Sequence, residues 1–218
     1  SHHYSNQAMA LDPPLTLSFL PYAEGLPAMT DKARQAGHEL MAHVPMEAMD
    51  GHLDGGPAVL KTDQDQTEFQ RILEADLNAF SGYAGINNHM GSRLTQDRRA
   101  MGQVMAELRK RGLFFVDSRT IGSSVAADMA EEYGIPFAVR DVFLDHDPSL
   151  AAVRQSLAQL ERMALNQGYA VGIGHPKAET IQALQEWLPT LGGKGFALVP
   201  VSAIITTPSA AVVSAHSQ

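Results

Sequence analysis

The sequence predicts an α/β fold built on a parallel sheet. Short apolar runs alternate with stretches of helical periodicity from residue 15 onward. A glycine also stands between several helical stretches and the next apolar run. The alternation is what a sheet needs when each strand returns to the same edge through a covering helix. Gly37, Gly112, Gly134 and Gly168 suit the left-handed cap that ends a helix before the chain turns into a strand. An open doubly wound sheet and a closed barrel both satisfy this pattern.

Residues 15–20 read as the first strand and 26–36 as the first helix. The second strand spans 39–44, and the long connection over 47–65 is expected to be a lid or rim loop. The glycines between 51 and 56 follow no strand and open no helix, so no phosphate-binding loop is predicted. Phe69, Ile72, Leu73, Leu77 and Phe80 share one stripe of a helix over 67–81. Residues 85–88 form the third strand. Met101, Val104, Met105 and Leu108 mark the buried face of a helix over 96–111, with Thr95 or Asp97 near its cap. That methionine stripe reads as core packing rather than a cofactor box. Strands at 113–117 and 137–139 flank a helix over 124–133. Asp147 ahead of Pro148 opens a helix over 148–167. A strand at 170–174, a helix over 177–188 and a last strand at 196–201 complete the alternation. Residues 1–13 are expected to be an N-terminal remnant that begins with the cloning-like Ser1-His2-His3. One domain is expected over 14–205 and a flexible tail over 206–218.

Composition narrows the function classes. A hydrophobic fraction of 44% supports a sizeable core. The net charge of −8, with no basic cluster, argues against a nucleic-acid partner. No cysteine is present, which removes disulfides and thiolate metal sites. No apolar run approaches the roughly 18 residues of a membrane span.

Chemistry concentrates where strands end. Asn87-Asn88-His89-Met90-Gly91-Ser92-Arg93 follows the third strand and is costly for a core, whereas α/β folds place ligands beyond the carboxyl ends of their strands. The plain alternative is a polar turn whose amides satisfy loop backbone. His43, His89 and His175 fall at the ends of three different strands, and imidazole is both the commonest metal ligand and an acid or base near neutral pH. Glu47 stands four residues beyond His43 and reads as either a returning carboxylate or an exposed side chain. In Ile173-Gly174-His175-Pro176 the flanking Gly and Pro fix the backbone around a histidine. Asp117 ends the strand at 113–117, and Asp141 and Asp145 flank Val142-Phe143-Leu144 after Arg140. A carboxylate near Arg119 or Arg140 stays ionised and can orient a histidine, or form a plain salt bridge.

Taken together, these segments resemble the divergent polysaccharide deacetylase family. The match runs from about Pro14 to Ile204. It takes in Leu15-Thr16-Leu17-Ser18-Phe19-Leu20-Pro21-Tyr22, His43 with Glu47, the Asn87-Asn88-His89 run, Phe115-Val116-Asp117-Ser118-Arg119-Thr120, Arg140 through Asp145, Ile173-Gly174-His175-Pro176 and Val199-Pro200-Val201-Ser202. The resemblance implies an irregular (β/α) barrel and metal-dependent removal of N-acetyl groups from amino-sugar polymers, with zinc the expected divalent ion. Gly37-His38-Glu39 matches a family motif and His43 its first metal ligand. The second ligand position falls on Glu47, a departure from histidine, for which His89 is expected to compensate. His175 matches the late strand-end general acid, with Asp117 or Asp145 expected to orient it. Asn88, Arg93 and Arg140 are expected to contact the N-acetylated polysaccharide or oligosaccharide, and Asn87 to shape its loop.

The family opens with a strand ending in an Asp-Asp pair, ligand and base, and no such strand precedes Tyr4 in this sequence. The resemblance also implies an exported, periplasmic protein. A catalytically weak glycan- or peptidoglycan-binding envelope protein on the same fold is the alternative. A metal-dependent hydrolase of another amide or ester is a third reading.

Overall fold

The structure, a computed structural model, describes residues 2–205; the tail expected over 206–218 lies outside the described residues. Helix α1 (His2–Ala8) comes first, then β1 (Thr16–Phe19), α2 (Leu26–Gln35), β2 (Glu39–Met46), α3 (Gln66–Leu77), β3 (Gly85–Met90) and α4 (Arg98–Arg111). They are followed by β4 (Phe114–Asp117), α5 (Ala126–Tyr133), β5 (Phe137–Val139), β6 (Val142–Phe143), α6 (Leu150–Gln167), β7 (Gly172–Ile173) and α7 (Ala178–Trp187). Strands β1 to β5 form one parallel sheet in chain order, and β6 pairs with β7 in a second. A doubly wound sheet reverses its strand order at a switch point. This sheet never reverses, so its winding is that of a (β/α) barrel wall, as the resemblance implies.

The chain divides into two compact units. One holds the residues up to Leu17, Asp31–Glu39 and Arg140–Ile204; the other holds Ser18–Thr30 and Leu40–Val139. In the second unit, side chains alternate across the strands. Ala42, Val44, Met46, Ile86 and Phe115 therefore join Phe69, Leu73 and Leu77 of α3 and Met101, Met105 and Leu108 of α4 in one core. Each such large side chain contributes roughly 1.5–3 kcal/mol by leaving water. The pairing puts His43 beside Asn87 and Pro45 beside His89. By parity His43, Asn87 and His89 share the opposite face, while Asn88 points with Ile86 toward the core.

Helix ends follow local chemistry. Asp65 accepts from Glu68 N at 2.9 Å and Asp97 from Ala100 N at 2.8 Å, each satisfying an orphan first-turn donor. Gly112 and Gly134 close α4 and α5 with φ of 67° and 68°. For α6 the cap is Ser149, which accepts from Ala152 N, and Asp147 instead accepts from Ser149 N. The expected start is thus two residues early.

Two further expectations are corrected. Among the described residues the apolar run 196–201 has no partner strand: Val201 N donates to Thr16 Oγ1 and Val201–Ile204 makes a 3-10 turn. Strands β2 and β3 each run two residues beyond their expected ends. In the N-terminal stretch Met9 and Leu11 are buried and His38 links Leu15 N to Met9 O. In the same unit Val142, Leu144, Val153, Leu157 and Ala183 form a separate core that fixes β6 against α6 and α7.

Candidate functional site

The unit that contains β2 and β3 presents a pair of imidazoles. His43 Nε2 and His89 Nδ1 lie 3.0 Å apart, with ring centroids 4.8 Å apart and planes inclined by 65°. They meet because His43 sits opposite Asn87 and His89 follows two residues later on the same face. Asn87 Oδ1 accepts from His43 Nδ1 at 2.9 Å and from the Ser18 hydroxyl, and Asn87 Nδ2 donates to Ser118 Oγ at 3.1 Å. Both histidines are partly exposed, whereas Asn87 is buried.

Two nitrogens bound tetrahedrally to one zinc at 2.0–2.1 Å stand roughly 3.3 Å apart. The pair therefore needs only a small opening to hold an ion, and the His43–Asn87 bond is the outer-partner contact that metal-ligating histidines usually make. These residues fit an ion as two of its ligands.

Glu47, the residue at the second ligand position, is engaged by other partners. Its Oε2 accepts from Thr62 N at 2.9 Å and Thr62 Oγ1 at 2.8 Å, and its Oε1 lies 3.5 Å from Arg93 Nε. Its backbone joins in: Glu47 N donates to Leu60 O, and Arg93 N and Leu94 N donate to Glu47 O. Past Met46 the chain has left the strand, so spacing from His43 no longer sets direction. Among the described residues no three His, Asp or Glu side chains are arranged to hold a metal.

Asn88, expected to contact substrate, is 1% exposed. Its Nδ2 donates to Met90 O at 2.7 Å and its Oδ1 accepts from Ser118 N at 2.8 Å. It braces the turn where Met90 (φ 54°) and Gly91 (φ 92°) both adopt left-handed backbone, costly for methionine. The Asp117 carboxylate accepts from Arg119 N and Ser124 Oγ, both at 2.7 Å, and so anchors the loop after β4. Arg93 is exposed, its guanidinium near Glu47 and Met49 O.

The other unit carries the second constellation. Asp145 Oδ1 accepts from His175 Nδ1 at 3.1 Å, and Oδ2 accepts from His175 N at 2.8 Å and Thr180 Oγ1 at 3.0 Å. Lys177 Nζ lies 3.9 Å from the same carboxylate. Burial pushes the Asp145 pKa up, but hydrogen bonds from the His175 side chain and backbone, its charge and Thr180 hold it below the ordinary carboxylate range. An ionised, fully buried carboxylate thus orients an imidazole whose side chain is 46% exposed. The ring leans edge-on against Phe143 at 5.5 Å, and the Arg140 guanidinium stacks 5.2 Å above that phenyl. His175 and Asp145 were both visible in the sequence. Ser18 and Ser118 stood in the matched segments without a role, and Thr62 and Thr180 were not singled out, since lone hydroxyls carry no periodic signal.

The family model described as divergent polysaccharide deacetylase matches residues 1–205. The uncharacterized protein YibQ of Escherichia coli K12 is 31% identical over 207 residues, 94% of this chain and 64% of that protein. An uncharacterized protein of Haemophilus influenzae is 33% identical over 179 residues, 81% of this chain and 63% of its own. The chain therefore spans a little under two thirds of these curated relatives. The crystal structure of the uncharacterized protein ATU2773 from Agrobacterium tumefaciens C58 superposes with a TM-score of 0.91 at 30% identity, covering 94% of this chain and 84% of that one.

Proposed function

Because the chain belongs to the divergent polysaccharide deacetylase family, we propose that it is a metal-dependent hydrolase that removes N-acetyl groups from amino-sugar polymers. The observation that carries this reading is the side-by-side pair of His43 and His89, with the remote nitrogen of His43 held by Asn87. In this reading the two histidines hold a divalent ion, zinc the expected one. When bound, such an ion supplies a water whose pKa falls from 15.7 toward about 7 and a Lewis acid for the acetamide oxygen.

The rest is done by side chains. Asp145 takes the Nδ1 proton of His175 as a hydrogen bond, which leaves Nε2 to carry a proton to and from solvent-facing chemistry. Protonation of the departing amine is the task that this geometry suits. The ionised Asp145 stabilises the imidazolium that precedes transfer. Arg140, held over Phe143, offers donors for sugar hydroxyls or an anionic substituent. Arg93, held near Glu47 and Met49 O, is assigned the same part. An exported, envelope-facing location is part of the same proposal.

The second reading, a glycan-binding envelope protein with little turnover, is favoured by one observation: Glu47 is locked to Thr62 and Arg93 rather than turned to the imidazoles. Metal content and deacetylation of an N-acetylated chito-oligosaccharide separate the two. Wild type should retain metal and release acetate; His43→Ala and His89→Ala should lose both, and His175→Ala should keep metal but lose turnover. Full metal retention by both of the first two variants overturns the ligand assignment. A metal-loaded wild type that binds the oligosaccharide without releasing acetate establishes the second reading.

A further inference from the structure

We propose that Ser118 and Asn87 form a positioning relay that fixes the tautomer of His43, so that Nε2 faces His89 as an unprotonated acceptor. The argument starts from a backbone carbonyl. Ser118 Oγ donates its proton to Asn88 O at 2.9 Å, while Ser118 N donates to Asn88 Oδ1 at 2.8 Å. A hydroxyl has one proton, so toward Asn87 the Ser118 oxygen only accepts. The Asn87 group 3.1 Å away must therefore be its NH2.

That choice orients the whole amide. Asn87 Oδ1 then faces His43 Nδ1 at 2.9 Å, together with the Ser18 hydroxyl. An amide oxygen carries no proton, so His43 Nδ1 must hold one. Neutral imidazole has a single N–H, which leaves Nε2 unprotonated. In the metal-free protein His89 Nδ1 is then the donor across the 3.0 Å contact. Every bond in this chain lies within one compact unit. The relay uses three strands: Asn87 and Asn88 on β3, His43 on β2, and Ser118 one residue past the end of β4.

Its consequence for metal rests on the reading of His43 as a ligand, because an Nε2 lone pair is what an incoming cation needs. The opposite tautomer would present an N–H to it. Asn87 and Ser118 touch neither ion nor substrate; they act through His43.

The test uses the full chain, metal-free and 15N-labelled, at about pH 8, where imidazole is neutral. Two-bond proton–nitrogen correlation spectra report each tautomer, and the peaks absent from His43→Gln identify His43. Wild type should show the Nδ1–H form. Asn87→Asp keeps the acceptor and should keep that form; Asn87→Leu and Ser118→Ala should shift it toward Nε2–H or a mixture, with circular dichroism verifying the fold. Titration with Co2+ should show affinity about 10- to 100-fold weaker for Asn87→Leu, the usual loss when an outer partner is removed, and a smaller change for Asn87→Asp. An Nε2–H form in wild type, or spectra unchanged in both Asn87→Leu and Ser118→Ala, overturns the relay. Wild type that shows the Nδ1–H form yet takes up no Co2+ supports the relay and overturns the ligand reading instead.

Discussion

Asp76 should make the protein less stable as pH rises through the neutral range. It sits on α3 between Leu73 and Leu77, is 4% exposed, and its Oδ2 has no hydrogen-bond partner among the described residues. Burial raises its pKa from 3.8 to about 7. Between those values the folded protein keeps a proton that the unfolded chain has released, so each pH unit removes about 1.36 kcal/mol of stability. The penalty is absent below the unfolded value and complete above the folded one. From pH 5 to pH 8 the full effect is about 2.7 kcal/mol, and residual solvent screening brings the expectation to about 2 kcal/mol. Asp76→Asn removes the titration while keeping the shape. Urea unfolding of both proteins at the two pH values gives a double difference in which all other groups cancel. A pH response equal in wild type and Asp76→Asn, within about 0.5 kcal/mol, refutes the reasoning.

Three other outcomes are expected. Glu47→Ala leaves the Thr62 donors and the Arg93 charge without their acceptor, so urea unfolding should show a loss of about 1–3 kcal/mol while bound metal is unchanged. Asp145 has a depressed pKa in the fold, so its contribution is present above the unfolded value near 3.9 and lost as pH falls through the lower folded one. Asp145→Asn should therefore flatten that acid limb in unfolding midpoints and should slow turnover by weakening the orientation of His175. Gly85→Ala places a Cβ 2.2 Å from the Phe114 ring, which must shift within the sheet, and a loss of at least about 1–3 kcal/mol is expected by thermal unfolding.

The β-α alternation and glycine caps were legible because periodicity and left-handed turns leave local marks. The run Asn87-Asn88-His89 was legible as a costly strand end, yet its division of labour needed register. Only the pairing of β2 with β3 tells that Asn87 and His89 join His43 while Asn88 faces the core. Glu47 shows the opposite limit: its partner Thr62 returns from a loop, and nothing in the spacing announces it. The run 196–201 has strand composition, yet at Val201 its backbone N–H goes to the Thr16 hydroxyl and the chain enters a 3-10 turn, which composition alone does not reveal.

The way the two compact units are threaded has a consequence for how the molecule is made. The unit that holds Asp145 and His175 is assembled from segments on either side of Leu40–Val139, an insertion of about a hundred residues. Bringing those ends together costs about 4 kcal/mol of chain entropy if the insertion is still unfolded, and much less once it has collapsed. The economical order is for the insertion, with its own core, to fold first and deliver the two flanks to each other. No single cut in the chain separates the units, because their segments interleave along it.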